Sequence, residues 1–249
     1  MSKRHDKQRR RTRRNFAGSE IIELHGPSAA EGKFAPERKL PAIKALNPAQ
    51  AEYLAAMAAH PQVVVMGPAG TGKTWIAATY AADLYRQGKV GRIILTRPNV
   101  PCGRSLGFFP GSLEDKFAPW AAPVLEAIKD RIGQGALEIA LKHGDIELVP
   151  FEVMRGRSWR DAFILLDEAQ NASVAEMKAF LTRIGEGCTA VINGDVGQCD
   201  LREASGLRTV LDLIRDRALP VPVVEFTAAD IVRSGVCAMW VEAFHAAQL

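Results

Sequence analysis

The chain has 249 residues, 47% of them hydrophobic and 24% charged. This composition is typical of a soluble globular protein and excludes collagen-like and disulfide-stapled chains, and the length is enough for one large domain or one and a half. The net charge is +4, but residues 1–14 hold eight Lys or Arg and one Asp, whereas the remainder holds 24 basic and 27 acidic residues. The basic character therefore belongs to a segment with charge +7, and the rest carries −3.

Residues 1–40 combine this basic run with Gly, Pro and Glu and have no sustained periodicity. We expect them to form a disordered basic arm and linker that contacts polyanions through counterion release. Asn47 as N-cap and Pro48 as first helical residue then predict a helix. The boundary between arm and folded domain is accordingly predicted at residues 40/41, and the domain is expected to span 41–249.

Short apolar segments rich in β-branched or aromatic residues alternate with helical segments along the rest of the chain. The predicted strands are Val63–Met66, Arg92–Thr96, Ile146–Phe151, Phe163–Asp167, Cys188–Asn193 and Val221–Phe226. The later helices are predicted near Thr74–Arg86, Leu113–Ile132, Val174–Ile184 and Arg208–Arg215. This alternation predicts an α/β domain in which helices cover both faces of a mostly parallel sheet.

Targeting and metal-scaffold signals are lacking in the sequence. No apolar stretch follows the basic residues as in a signal peptide, and the longest apolar runs are far below the roughly 18 residues of a membrane span. The four cysteines, Cys102, Cys188, Cys199 and Cys237, form no C-x-x-C pair. We therefore expect a cytoplasmic protein without a membrane partner, a disulfide scaffold or structural zinc.

The sequence GPAGTGKT matches the phosphate-binding loop pattern G-x-x-x-x-G-K-[ST]. It follows an apolar strand and begins a helix, which is the context that gives the pattern its meaning. We expect backbone N–H groups of this loop to bind ATP phosphates, Lys73 to bridge the β- and γ-phosphates, and Thr74 to hold Mg²⁺. The predicted nucleotide-binding residues are Gly67, Pro68, Ala69, Gly70, Thr71, Gly72, Lys73 and Thr74.

A second strand, FILLDEAQ, ends in two carboxylates. Asp167 is placed to bind Mg²⁺, and Glu168 is placed to polarise the attacking water. The pair indicates a hydrolysing enzyme rather than a P-loop kinase. The alternative is two solvated acids at a strand end.

Two glutamines are further candidates. Gln198 follows the strand AVINGD, from which it could contact both γ-phosphate and water, although Gly194 and Gly197 would also suit a simple turn. Gln50 lies three residues into the helix that precedes the P-loop strand and could read the adenine edge, or it could be an ordinary surface glutamine.

The blocks GPAGTGKT, RPNVPCGRSLGFFPGSLEDKFAPW, EVMRGRSWRDAFILLDEAQN, TRIGEGCTAVINGDVGQCD and DIVRSG occur in this order. With them the chain resembles the PhoH-like ATPases, which are related by sequence to the nucleotide-binding lobe of superfamily 1 helicases. The resemblance runs from about Asn47 to Ala243. It implies a single RecA-like P-loop NTPase domain in the cytoplasm, with ATP and Mg²⁺ as cofactors, RNA or single-stranded nucleic acid as partner, and ring-shaped oligomers, for example hexamers.

Position by position, the resemblance assigns catalysis to Lys73, Glu168, Gln198 and Arg233, and the metal to Thr74 and Asp167. Arg233 in DIVRSG would reach γ-phosphate in cis or across a subunit boundary; alternatively it is a surface arginine paired with Asp230. Residues 41–249 suffice for one lobe, whereas a helicase acting as a monomer needs two. Two functions follow. One is an RNA helicase-like ATPase that couples hydrolysis to RNA or single-stranded DNA; the alternative is a nucleotide-gated assembly module with slow turnover.

Residues 97–120 are the first candidate nucleic-acid contact. This stretch combines Arg97 and Arg104 with the rings of Phe108, Phe109 and Trp120, which could track a backbone and stack bases. The rings could equally fill the core beneath a long loop.

The second candidate contact is Met154–Arg160, whose three arginines could sense phosphate or a neighbouring subunit. A predicted helix at the C-terminus places Val236, Trp240, Ala243 and Phe244 on one face for core packing or a subunit contact.

Overall fold

The computed structural model describes residues 40–98, 113–151, 154, 156–201, 204–232 and 239–240. All of them belong to one structural unit, Lys33–Leu249. The predicted arm, apart from Leu40, lies outside the described residues. So do Arg104, Phe108 and Phe109 of the first candidate nucleic-acid contact, Arg155 of the second, and Arg233. The same holds for Val236, Ala243 and Phe244.

Six helices and six strands make up the described part of the chain. The helices are α1 (Pro48–Ala59), α2 (Lys73–Arg86), α3 (Leu113–Ile132), α4 (Gln134–His143), α5 (Val174–Leu181) and α6 (Gly206–Asp216). The strands are β1 (Gln62–Met66), β2 (Arg92–Thr96), β3 (Ile146–Leu148), β4 (Ala162–Leu166), β5 (Thr189–Gly194) and β6 (Val223–Glu225). Short 3₁₀ turns follow β4 at Ala169–Asn171 and β6 at Ala228–Asp230.

The strands form one sheet in the order β3-β2-β4-β5-β1-β6, and every pairing is parallel. Parallel pairing brings the carboxyl ends of all six strands to one edge. Because β5 lies between β1 and β4, the segments that follow these three strands are direct neighbours there. This confirms the predicted α/β fold with a parallel sheet.

Alternating side chains divide the strands between two apolar cores. Residues such as Val63, Val65 and Leu165 pack against α1 to α4, whereas Val64, Ile164 and Ile192 pack against α5 and α6. All six of these side chains are fully buried or nearly so. Continuous apolar strands are expected when helices cover both faces, and this arrangement makes the sheet a rigid support for its edge.

The structure differs from the sequence prediction at a few element ends. Strand β3 stops at Leu148 rather than Phe151, two residues before Pro150, which has no N–H to donate to a ladder. Helix α5 ends at Leu181 rather than Ile184, because Trp159 pairs with this segment: its N–H donates to Arg183 O and its carbonyl accepts from Gly185 N. Helix α4 was not among the predicted helices; it begins between Gly133 and Gly135, and glycine has a low helix propensity.

No helix in the described ranges combines the length and apolar character needed to cross a bilayer.

Candidate functional site

The segments after β1, β4 and β5 surround a cavity of about 400 Å³ at the carboxyl edge of the sheet. Ala69, Gly70 and Gly72–Trp75 line it from the P-loop and the start of α2. Asp167 and Glu168 line it after β4, and Gly194, Asp195 and Gln198 line it at the end of β5. The fold thus brings together most of the residues that the sequence singled out.

The P-loop begins at a glycine that no other residue can replace without a shift of the backbone. Gly67 has φ +137°, and a Cβ built on it would lie 2.4 Å from the carbonyl oxygen of Phe226. This close approach arises because the Phe226 N–H donates to Met66 O at 2.7 Å, which ties the segment after β6 to the end of β1. The backbone path of the P-loop is therefore determined by its packing against the segment after β6 as well as by its own sequence.

Helix α2 begins without a capping side chain. Its N-cap is Gly72, with φ +89°, and the first N–H that donates within the helix is that of Ile76, to Gly72 O. By contrast, α1 and α5 are capped by the side chains of Asn47 and Ser173. The open N–H groups of α2 and its helix dipole face the cavity and favour an anion.

Lys73, the first residue of α2, folds over the P-loop. Its Nζ donates to Gly67 O at 2.6 Å and to Pro68 O at 2.9 Å. Burial lowers the pKa of Lys73, and the nearby Asp195, Asp167 and Glu168 oppose that shift. The ammonium therefore lies in a partly desolvated position where attraction to an anion is strong.

Thr74 and Asp167 meet across the sheet edge. The Thr74 hydroxyl donates to Asp167 Oδ1 at 3.0 Å, and Trp120 Nε1 donates to Oδ2 at 3.4 Å. Asp167 is only 7% exposed, and burial, followed by repulsion from Glu168, raises its pKa. Arg97 lies over the Trp120 ring at 5.5 Å, so two residues of the candidate nucleic-acid stretch pack beside Asp167.

The Thr74 hydroxyl and the Asp167 carboxylate fit a magnesium ion. Both are hard oxygen donors, and Mg²⁺ is commonly held by one or two carboxylates together with substrate phosphates and water. Among the described residues no group of three His, Cys, Asp or Glu could hold a metal by itself. Two protein donors leave room for the phosphate and water ligands that complete the coordination of Mg²⁺.

Gln170 is a site residue that the sequence did not single out. It is 1% exposed; its Nε2 donates to Glu168 Oε2 at 2.6 Å, and its Oε1 accepts from Asp195 N at 2.9 Å. A longer contact of 3.5 Å joins Nε2 to Gln198 O. Gln170 thus links the segment after β4 to the segment after β5. Glu168 itself has left-handed backbone, φ 52°, which is uncommon for a non-glycine residue and is typical of sites under constraint.

We expect Gln170→Ala to lower ATP turnover about 10- to 100-fold, the effect of one lost hydrogen bond to a charged group. Gln170→Glu has nearly the same shape but would set a second carboxylate against Glu168. Its pH–rate profile should therefore have an acidic limb at higher pH than that of wild type or Gln170→Ala. Steady-state turnover from pH 5 to 9 with melting temperatures as control tests this, and wild-type turnover in Gln170→Ala would contradict it.

The two predicted glutamines occupy different surroundings. Gln198 is exposed and lines the cavity beyond Asp195. Gln50 is 3% exposed; its Oε1 accepts from Leu46 N at 2.8 Å and its Nε2 donates to Thr71 O at 3.0 Å. The side chain of Gln50 therefore connects α1 and Leu46 to the P-loop at Thr71.

The segment before Arg233 is fixed at the cavity. Val232 lines it, and its N–H donates to Gly70 O at 3.0 Å. Arg233 follows it in sequence and lies outside the described residues. Asp230, the alternative partner of Arg233, accepts from Thr227 N and Oγ1 through Oδ2.

The Met154–Arg160 stretch reaches another part of the sheet. Arg157 Nη1 lies 2.5 Å from Glu147 Oε2 on the edge strand β3.

Comparisons with known proteins agree on one family. The family described as "PhoH-like protein" matches residues 42–245. Protein PhoH of Escherichia coli (strain K12) is 38% identical over 245 residues, covering 97% of this chain and 69% of that protein. The PhoH-like protein of Bacillus subtilis (strain 168) is 39% identical over 219 residues, covering 87% of this chain and 68% of that protein.

Among solved structures, the large terminase of the thermophilic bacteriophage D6E is similar with a TM-score of 0.47 and 10% identity. The match covers 80% of this chain and 50% of that one. The extent of the family match, together with the P-loop and its neighbouring carboxylates, indicates a nucleotide-binding protein of ATPase type. The chain belongs to the PhoH-like protein family.

Proposed function

We propose that the protein is a Mg²⁺-dependent ATPase that couples hydrolysis to the binding or remodelling of RNA or single-stranded nucleic acid, and that it acts as an oligomer in the cytoplasm. The observation that carries the ATPase proposal is the hydrogen bond between Thr74 Oγ1 and Asp167 at the uncapped start of α2. Through this hydrogen bond the carboxylate proposed to hold the metal lies next to the proposed phosphate-binding end of α2, and Glu168 follows it in sequence.

In this proposal each residue has a separate task. The N–H groups of Gly70–Thr74 and the N-terminus of α2 bind the phosphates, and Lys73 exchanges its contacts with Gly67 O and Pro68 O for phosphate oxygens. Thr74 and Asp167 hold Mg²⁺, which would supply charge neutralisation for the transferring phosphoryl group. Glu168 accepts the proton of the attacking water, and Gln170 fixes the direction of its carboxylate.

Gln198 and Arg233 would respond to the presence of γ-phosphate, and Arg233 also to a neighbouring subunit. The amide of Gln170 contacts both Gln198 O and the Glu168 carboxylate. A contact between Gln198 and γ-phosphate would therefore be transmitted to Glu168, the proposed general base, through Gln170. Arg233 would add a positive charge to γ-phosphate, either from its own chain or in a ring of subunits, where an arginine finger contributes about 10³–10⁵ in rate.

Nucleic acid is proposed to act through residues 97–120, which follow β2 and include the first residues of α3. Arg97 and Trp120 belong to that stretch, and Trp120 donates to the carboxylate that would hold the metal. A strand bound there could alter the position of Asp167. The basic arm would add affinity that does not depend on sequence and weakens with salt.

The proposal is tested by ATP turnover with and without single-stranded RNA or DNA, on the full chain and on a variant lacking residues 1–14. We expect nucleic acid to change turnover in both, and the truncation to reduce nucleic-acid affinity and flatten its salt dependence while leaving basal turnover intact. If nucleic acid changes neither turnover nor ATP affinity, the coupling proposal is wrong and the nucleotide-gated assembly module replaces it.

A further inference from the structure

A bound nucleotide needs a surface for its base, and the amide of Gln50, the residue predicted to read the adenine edge, is already hydrogen-bonded within the protein. Both ends of the Gln50 amide are engaged within the protein, by Leu46 N and by Thr71 O. The side chain is 3% exposed. To bind a base edge, Gln50 would have to give up its hydrogen bond to Thr71 O, which supports the P-loop. Gln50 is also packed closely against this loop, because a Cβ built on Gly72 would lie 3.2 Å from Gln50 Nε2.

Trp75 offers a different kind of surface. It directly follows Thr74 in the first turn of α2, lines the cavity, and is 53% exposed. Tryptophan is on average highly buried, so a half-exposed indole on the wall of a cavity marks a place where a flat ligand can be covered. Val232 also lines the cavity, is 42% exposed, and is held beside the P-loop by its N–H bond to Gly70 O.

The order of chemical groups around the cavity sets the direction of a bound triphosphate. Glu168 and Gln198 mark the reacting end, where γ-phosphate and water must lie. The open N–H groups at the start of α2 run from Lys73 to Trp75, and the helix ladder takes over at Ile76. The phosphate farthest from Glu168 is thus expected near Trp75, and the nucleoside begins there.

We propose that Trp75, flanked by Val232, forms the base-binding subsite and stacks on the nucleobase of the bound triphosphate. This rests on the ATPase proposal, because the P-loop supplies the phosphate end of the ligand. Every base has a π-face, so stacking tolerates any base. We therefore expect ATP and GTP to bind with affinities within about tenfold of one another, since a ring face does not distinguish their hydrogen-bonding edges.

The test compares ATP, GTP and inorganic tripolyphosphate, which lacks a base, as ligands in calorimetric titrations with Mg²⁺. Trp75→Ala should weaken ATP and GTP binding about 10- to 100-fold, in line with measured stacking contributions. It should leave tripolyphosphate binding unchanged. Trp75→Phe, which keeps a ring, should retain most of the ATP affinity.

Leu213→Ala is the control, because Leu213 on α6 is similarly exposed at 47% and is not among the residues that line the cavity. It should leave all three affinities unchanged. An equal loss of ATP and tripolyphosphate binding in Trp75→Ala would overturn the stacking subsite, since the residue would then act through the P-loop. Unchanged ATP affinity in that variant would also overturn it.

The two proposals fail in different ways. If wild type binds tripolyphosphate and ATP equally well, the base contributes nothing and the subsite is wrong, while the phosphate site stands. If wild type binds neither ligand, the ATPase proposal itself is wrong.

Discussion

Glu168→Gln is expected to lower kcat for ATP hydrolysis about 10²- to 10⁴-fold, the range in which a positioned general base contributes. The affinity for ATP should stay within about threefold of wild type. A glutamine fills the same space as the carboxylate, and its carbonyl oxygen can still accept from Gln170 Nε2. It cannot accept a proton from water, so the loss falls on the chemical step.

Single-turnover kinetics together with equilibrium ATP binding separate these effects. Lys73→Ala serves as the contrasting variant, because it removes the ammonium beside the phosphates and should weaken ATP binding as well as turnover. If Glu168→Gln retained wild-type turnover, Glu168 would not be the base, and the Asp167–Glu168 pair would be two acids at a strand end.

The residues predicted from sequence belong to recognisable motifs, whereas those found only in the structure do not. Lys73 and Thr74 lie within one short motif, whose glycines and strand-to-helix context carry their own physical explanation. Gln170 became visible only when the fold brought it to Asp195, 25 residues later. The Trp120 contact with Asp167 joins positions 47 apart. Neither contact has a local sequence signal.

The same reasoning explains the accuracy of the fold prediction. All six strands were predicted, and the buried central ones are continuous or nearly continuous apolar runs, for which AFILL is an example. Helix α4 was missed, and Gly133 and Gly135 at its start are residues of low helix propensity. Its apolar residues Leu137 and Ala140 nevertheless pack into the core beside α3. Tertiary burial therefore overrode propensity, which single-sequence reasoning does not detect.

Gly67→Ala is expected to destabilise the protein by about 2–4 kcal/mol, since it combines backbone strain at φ +137° with a clash against a neighbouring backbone. The added Cβ would lie 2.4 Å from Phe226 O and 2.6 Å from Phe226 Cβ. Relief requires separating the segment after β6 from the end of β1, which also moves the P-loop. ATP binding should therefore fall together with stability.

Gly88→Ala is the matched control, because Gly88 also has a left-handed backbone, φ +67°, but nothing lies within 4 Å of a Cβ built on it. That variant carries only the conformational cost of about 1–2 kcal/mol and should bind ATP normally. At about 2–4 °C per kcal/mol for a chain of this size, thermal unfolding should lower Tm by roughly 10 °C in Gly67→Ala and by about 3–5 °C in Gly88→Ala. Equal shifts in the two variants would mean that the contact with Phe226 does not constrain the P-loop.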